Sequence, residues 1–160
     1  MSQVTSSLFI GRFQPFHKGH LDAIKQVLKK EQHVIIAIGS AQYSNEPENP
    51  FTARERYEMI QKTLDEEKID RKRYSIMPVW NIENDEEWVD HLDRILPQYN
   101  NVYTGSKETK KLYKAHGKHP VKNIKISKKI SATLVREKMR KEENWKPLVP
   151  KPVANLLSNS

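Results

Sequence analysis

The feature that most constrains the fold is a continuous apolar run at residues 34–38, with the sequence VIIAI. A strand with one solvent-exposed face alternates apolar and polar residues, whereas this run contains no polar position. Such a run is typical of a strand in a parallel sheet that helices cover on both faces. Further strands are predicted at residues 7–10, 74–79, 101–104 and 121–126.

Segments with helical periodicity separate these strands. Apolar residues recur at the spacing of one helix face in residues 19–30, and Thr52 and Glu55 form a capping-box sequence for a second helix that runs to about residue 67. Further helices are predicted at residues 86–96, 107–115 and 131–141, with a short one from residue 150. Alternating strands and helices favour parallel pairing with right-handed crossovers. We therefore expect an α/β, Rossmann-like three-layer sandwich with a parallel sheet of about five strands.

The length of the chain, 160 residues, is that of one ordinary domain. No linker or low-complexity segment divides it, so residues 1–160 are predicted to form a single domain. The absence of cysteine excludes disulfides and thiol nucleophiles. No apolar segment reaches the length of a membrane span, and the N-terminal sequence lacks the pattern of a secretory signal. We expect a cytoplasmic protein with no membrane partner.

The formal net charge of +8 is unevenly distributed. Residues 107–129, here called the lysine-rich segment, contain nine lysines and one acidic residue, whereas residues 81–93 contain six acidic residues and no lysine or arginine. A basic surface attracts nucleic acids and small phosphates alike. The aromatic residues are not interleaved with the basic ones as in stacking platforms for nucleic acids. We therefore expect no nucleic-acid partner and interpret the lysine-rich segment as solvated surface; any further role stays open.

A glycine, an arginine and two histidines follow the first predicted strand, in the sequence GRFQPFHKGH. Ligands of parallel α/β sheets bind beyond the carboxyl ends of the strands, and the N-terminus of the next helix favours an anion there. Gly11 allows a ligand to approach the backbone closely. His17 and His20 lie one helical turn apart, so both imidazoles can face one point. Arg12 can make forked, charge-assisted contacts to phosphate oxygens. The segment predicts a polyphosphate site.

The two histidines also allow simpler interpretations. They could cap or pack the start of a helix, and a His-x-x-His pair could be half of a zinc site. A zinc site needs further ligands, and the remaining histidines show no ligand spacing to this pair. A second helix start, ISATLVR at residues 130–136, offers hydroxyl groups, free backbone N–H groups and Arg136 to the same anion. Together the two segments favour phosphate chemistry.

Several segments resemble the archaeal-type nicotinamide mononucleotide (NMN) adenylyltransferases of the HxGH nucleotidyltransferase superfamily. HKGH and ISATLVR match the superfamily signatures HxGH and ISxTxxR, and the narrower family is matched in order by GRFQPFHKGHL, IGSAQYS, NPFTARER, VYTGS and NWKPLVPKPV. The resemblance extends from about residue 8 to residue 157. It implies transfer of AMP from ATP to the 5′-phosphate of NMN, giving NAD and pyrophosphate, by in-line attack without a covalent intermediate. The alternatives are another small-molecule adenylyl- or cytidylyltransferase and, more distantly, a non-catalytic nucleotide- or nucleic-acid-binding module.

The resemblance also implies roles for individual residues. It assigns catalysis to His17, His20 and Arg136, ATP binding to Arg12, Phe13, Gln14, Gly105, Ser131 and Thr133, and NMN binding to Ser40, Gln42, Asn81, Ile82 and Trp88. Gly105 is expected to leave room beside the adenosine. The resemblance implies no dedicated metal ligands, because Mg²⁺ or another divalent cation would bridge phosphate oxygens. It also implies a homo-oligomer, of unspecified size.

Some positions leave alternatives open. Asn81 stands where the family often has aspartate, and Glu48 belongs to an acidic loop where some relatives place a phosphate-binding arginine. Arg54 or Arg56 could supply that cation, although both lie on a helix that could simply pack. Trp88 shares a predicted helix face with core leucines, so packing competes with stacking on the nicotinamide ring. The preferred metal and the choice between NMN and nicotinic acid mononucleotide also stay open.

Overall fold

The structure, a computed structural model, describes residues 5–127 and 129–158. These residues form a five-stranded parallel sheet in the order β3-β2-β1-β4-β5. The strands are β1 (Ser6–Gly11), β2 (His33–Ile38), β3 (Tyr74–Pro78), β4 (Val102–Tyr103) and β5 (Val121–Lys122). The α-helices are α1 (Lys18–Lys30), α2 (Ala53–Glu66), α3 (Asp85–Ile95), α4 (Lys107–His116), α5 (Ala132–Arg140) and α6 (Lys151–Ser158), with 3-10 helices at Arg71–Arg73 and Lys146–Leu148. The predicted α/β fold is confirmed.

The sheet separates two apolar clusters, one on each face. In β2, Val34, Ile36 and Ile38 face the cluster that contains the buried residues of α1 and α2, whereas Ile35 and Ala37 face the cluster that contains those of α3. Successive strand residues point to opposite faces of a sheet, so both faces of β2 are covered. This arrangement explains why the run VIIAI has no polar position.

The order of the strands reverses at β1. The chain first builds β2 and β3 on one side of β1 and then returns to place β4 on the other side. At its carboxyl end β1 stays paired with β2, since Gly39 N–H donates to Gly11 C=O at 2.8 Å. A crevice for ligands forms where the strand order reverses. The fold therefore places the loop after β1 at this crevice.

The fifth strand is shorter than predicted. The expectation for residues 121–126 is wrong beyond Lys122, because β4 offers only Val102 and Tyr103 as partners. The following segment instead bonds to α1, where the Gln26 side chain donates to Lys125 C=O at 2.7 Å and accepts from Lys125 N–H at 2.9 Å. Lys128 of the lysine-rich segment lies outside the described residues. Among the described helices, none combines the length and apolar character that a membrane crossing needs.

Candidate active site

His17 and His20 lie at the start of α1 and cap it reciprocally. His17 Nδ1 accepts the N–H groups of Gly19 and His20 at 3.1 and 3.4 Å, and His20 Nδ1 accepts the N–H group of His17 at 3.1 Å. The two rings stack with their centroids 3.6 Å apart. A neutral imidazole whose Nδ1 accepts carries its proton on Nε2. Each ring therefore caps the helix with one nitrogen and keeps an N–H donor on the other.

The environment of the two histidines disfavours their charged forms. Burial lowers the pKa of His17 to about 4. Burial, followed by the charge of a protonated His17, lowers the pKa of His20 well below its ordinary value. Both rings are thus neutral near pH 7. They offer hydrogen-bond donors to an anion, while the fixed positive charge of this region comes from arginines.

The backbone of Phe13 adopts a left-handed conformation, with φ of 55°. For a bulky residue this conformation costs on the order of 1–3 kcal/mol and needs support from its surroundings. The Phe13 side chain supplies part of that support, because it is only 1% exposed and its ring lies 5.7 Å from the ring of Phe16 and 4.8 Å from that of His20. The left-handed residue therefore belongs to the same packed unit as the histidine cap.

Gln14 and Arg136 tie this loop to distant parts of the chain. The Gln14 side chain makes two hydrogen bonds to the backbone of Phe51, at 2.9 and 3.1 Å. Gln14 C=O accepts from Arg136 Nη1 at 2.8 Å, and Arg136 Nη2 donates to Thr133 Oγ1 at 3.3 Å. Ser131 caps α5 by accepting from Leu134 N–H at 3.1 Å. The structure thus brings the start of α5 to the loop that carries the histidines, as predicted.

Arg12 and Arg136 lie close enough to repel each other. Burial, followed by the positive charge of Arg12, lowers the pKa of Arg136, while the negative charge of Glu48 acts in the opposite direction. The exposed Arg12 guanidinium has Asn49 Oδ1 as its partner at 3.4 Å. Two like charges held together create a local positive potential, which an anionic ligand would relieve.

A cavity of about 1120 Å³ opens at the carboxyl ends of the strands. Its lining includes Arg12 and four of the five residues predicted to bind NMN, namely Ser40, Asn81, Ile82 and Trp88. The fifth, Gln42, lies outside the lining but makes two 2.9 Å hydrogen bonds to the backbone of Asn81. His17, His20 and Arg136 do not line this cavity. They adjoin it through Arg12, so the site has a phosphate part and a cavity part.

Trp88 is packed against its neighbours and also faces the cavity. Its indole N–H donates to Asn81 Oδ1 at 3.0 Å, and its ring packs edge-on against the ring of Tyr113 at 5.7 Å. It also lines the cavity. The sequence analysis missed Trp80, which lines the same cavity with 53% of its surface exposed. A tryptophan directly after the strand predicted at residues 74–79, next to Asn81, was the available signal.

The space above Gly105 is occupied. A Cβ atom built on Gly105 would clash with Ile126 Cδ1, so the end of the Ile126 side chain lies over Gly105 in this structure. That Gly105 leaves room beside the adenosine stays a prediction. Ile126 follows the short fifth strand, which pairs with β4 only at Val121 and Lys122. Ser106, the next residue, caps α4 by accepting from Thr109 N–H at 3.2 Å.

Neither arginine of α2 presents a free cation to the cavity. The Arg54 side chain is 90% exposed and pairs with Glu58 at 3.8 Å. Arg56 is completely buried, and its guanidinium donates to backbone carbonyls. The described residues also contain no group of three or more His, Cys, Asp or Glu side chains that could hold a metal ion.

A parallel sheet with a histidine-capped helix and two arginines at its switch point defines a nucleotidyltransferase, and the family model described as cytidylyltransferase-like matches residues 8–138. The chain is 38% identical over 153 residues to a nicotinamide-nucleotide adenylyltransferase of Thermoplasma volcanium, with 94% of this chain and 84% of the relative covered. It is 41% identical over 152 residues to the enzyme of that name from Pyrococcus furiosus, with 94% and 81% covered. The chain belongs to the nicotinamide-nucleotide adenylyltransferases.

Solved structures agree with the fold. Two structures of a bifunctional NMN adenylyltransferase/ADP ribose pyrophosphatase from Francisella tularensis superpose on 98% of this chain, with TM-scores of 0.81 and 0.76 at 26% and 24% identity. The second of these contains AMP and a manganese ion. This chain spans about half the length of those proteins, 49% and 52%.

Proposed function

We propose that the chain transfers AMP from ATP to the 5′-phosphate of NMN, forming NAD and pyrophosphate as a step of NAD biosynthesis. The observation that carries the proposal is the stacked histidine cap beside Arg12 and Arg136, next to a cavity with tryptophan walls. The names of the relatives support the same reaction.

The reaction needs positioning more than a chemical base. The phosphate of NMN is already an adequate nucleophile at neutral pH, so it attacks the α-phosphorus of ATP directly and pyrophosphate leaves. Holding two polyanions in line converts a bimolecular encounter into an oriented attack. Charge that develops on the equatorial and leaving oxygens is stabilised by fixed donors and cations.

The phosphate part of the site is proposed to hold ATP. His17 and His20 donate their Nε2–H groups to phosphate oxygens, and at least one of these bonds strengthens in the transition state. Arg136 and the start of α5, with Ser131 and Thr133, hold the β- and γ-phosphates. Arg12 and the loop after β1 contact phosphate near the junction of the two substrates.

The cavity part of the site is proposed to hold NMN. Trp88 and the neighbouring Trp80 offer aromatic faces to the nicotinamide ring, and a cationic ring is attracted to such faces. Trp88 N–H fixes Asn81 through its Oδ1, which leaves the Asn81 NH₂ group as a donor. Gln42 contributes by fixing the Asn81 backbone rather than by direct contact.

ATP is proposed to enter as its complex with Mg²⁺ or another divalent cation. Because the described residues offer no cluster of three ligands, phosphate oxygens and water would supply most of the coordination, as is usual for Mg²⁺. The ion neutralises charge on the phosphates when bound. We further propose that the chain forms a single domain, works in the cytoplasm and assembles with copies of itself.

The proposal is tested with the purified chain, ATP and NMN, by following NAD formation and pyrophosphate release. Parallel reactions replace ATP with CTP, and NMN with nicotinic acid mononucleotide, phosphopantetheine or choline phosphate. Only ATP with a pyridine mononucleotide should react rapidly; turnover with CTP or another acceptor alone would favour the alternative transferases. Salt-sensitive binding of nucleic acid without any turnover would favour a binding module.

A matched pair of variants tests the histidine assignment. His20→Ala removes a ring from the proposed phosphate site and should lower kcat by about 100-fold or more, the usual effect of removing a fixed donor. His33→Ala removes a ring from the opposite end of the sheet, where serine hydroxyls flank both nitrogens, and should leave kcat unchanged. Equal effects of the two substitutions would contradict the assignment.

A further inference from the structure

A single buried guanidinium joins the loops that follow β1 and β2. Arg56 Nη1 donates to Arg12 C=O at 2.9 Å and to Gly39 C=O at 2.8 Å, and Nη2 lies 3.3 Å from Ser40 C=O. Weaker or more local contacts reach Tyr43 C=O at 3.4 Å and Thr52 C=O at 3.1 Å. The side chain is fully buried. Its donors are therefore committed to the backbone of the site, and none is left for a ligand.

The carbonyls that Arg56 holds flank the two left-handed residues of the site. Arg12 C=O belongs to the peptide group before Phe13, which has φ of 55°. Gly39 C=O and Ser40 C=O belong to the peptide groups before and after the Cα atom of Ser40, which has φ of 51°. Non-glycine residues keep such a conformation only where the surroundings fix it. Arg56 is the group that fixes the carbonyl on one side of Phe13 and on both sides of Ser40.

The direction of these carbonyls determines the direction of two N–H groups. In a trans peptide the C=O of one residue and the N–H of the next point in opposite directions. Because Arg56 holds the carbonyls of Arg12 and Gly39, the N–H groups of Phe13 and Ser40 point away from Arg56. Within residues 5–127 and 129–158, neither N–H group is hydrogen-bonded to the protein. Arg12 and Ser40 both line the cavity.

We propose that Arg56 is a positioning residue that turns the N–H groups of Phe13 and Ser40 toward the phosphate groups of the two substrates. The Phe13 group belongs to the loop with the histidine cap and serves ATP; the Ser40 group belongs to the cavity and serves the mononucleotide. One guanidinium thus sets the position of one substrate relative to the other. The inference rests on the proposed function, since it assigns the anionic ligands to that reaction.

Arg56→Lys tests the inference, with Arg54→Lys as the matched control on the exposed face of the same helix. Lysine keeps the charge but cannot reach both loops with a planar fork. We expect kcat to fall by about 100-fold, as for a lost transition-state donor or a small misplacement, and the ATP dissociation constant from calorimetry to rise by about 10-fold. In Arg56→Ala, added millimolar guanidinium should restore part of kcat in a saturable manner. Arg54→Lys should match the wild type.

The outcomes separate the inference from the proposed function. If the wild type makes NAD and Arg56→Lys equals it in kcat and in ATP affinity, the inference is wrong and the function stands. If the wild type makes no NAD, the proposed function fails, and the calorimetric comparison still tests whether Arg56 orients phosphate donors. Loss of folding in both Arg56 variants, or activity loss that guanidinium does not relieve, would assign Arg56 to the fold alone and overturn the proposal.

Discussion

Acid should destabilise the folded chain through His17, by an amount that its environment fixes. The pKa of His17 is lowered from 6.5 to about 4 because the ring is buried. As the pH falls below 6.5, the unfolded chain binds a proton at this position, whereas the folded chain stays neutral until about pH 4. The free energy of unfolding therefore decreases through this window. At about 1.4 kcal/mol per pKa unit, the loss is about 3 kcal/mol.

His17→Asn isolates this contribution. Asparagine accepts hydrogen bonds from backbone N–H groups at a helix N-terminus as well as any residue, so the cap is retained while the titrating group is removed. Urea unfolding followed by circular dichroism, at intervals from pH 7.5 to pH 4, gives the free energy of unfolding of both proteins. Groups that His17 does not touch cancel in the difference. His20 is buried in both chains, and only its smaller interaction with a protonated His17 differs between them.

The wild type should lose about 3 kcal/mol more than His17→Asn between pH 6.5 and about pH 4, and the two curves should be parallel above pH 6.5. Parallel curves across the whole range would refute the reasoning. They would mean that His17 accepts a proton in the folded chain as easily as in the unfolded one, which its cap through an unprotonated Nδ1 does not allow.

Two further predictions concern the cavity. Trp88→Phe keeps an aromatic ring but removes the donor to Asn81 Oδ1; it should raise the KM for NMN by several-fold and leave the KM for ATP nearly unchanged, and an equal rise in both would support a packing role alone. Glu48→Gln removes a negative charge that raises the pKa of Arg136. The substitution should lower the KM for ATP, and the difference from the wild type should shrink at high salt because screening weakens the interaction. An unchanged KM at low salt would contradict this account.

The elements with strong periodicity could be predicted from the sequence. Helices α1 and α2 and strand β2 carry regular apolar patterns or a capping box, and the structure places them within about two residues of their predicted ends. Strand β5 could not be delimited in this way, since its length depends on how many residues β4 offers as partners. The apolar residues at positions 124 and 126 continue the pattern, but they pack elsewhere.

The candidate site likewise contains parts that local sequence patterns predict and parts that depend on distant contacts. Local motifs identified the histidine cap and the start of α5, because both are contained in a few consecutive residues. Arg56 bonds to Arg12, 44 positions away in the sequence, and the Gln14 side chain bonds to Phe51, 37 positions away. No short motif specifies contacts between residues so far apart. The sequence left Arg56 two roles, a phosphate ligand or a packed helix residue. The structure shows instead that it is buried and donates to backbone carbonyls.

The chemistry of the cap itself explains why histidines stand at the start of α1. Capping alone does not require them: Thr52 and Glu55 form an ordinary capping box at α2, and serine caps α4 and α5. A glutamate at the third position of α1 would place a negative charge where we propose that phosphate binds. A serine at the cap would use its oxygen to accept from the helix N–H groups. An imidazole accepts through Nδ1 and still offers Nε2–H, and in its neutral form it avoids the cost of burying a charge. The histidine pair thus satisfies the helix and leaves two uncharged donors for an anion.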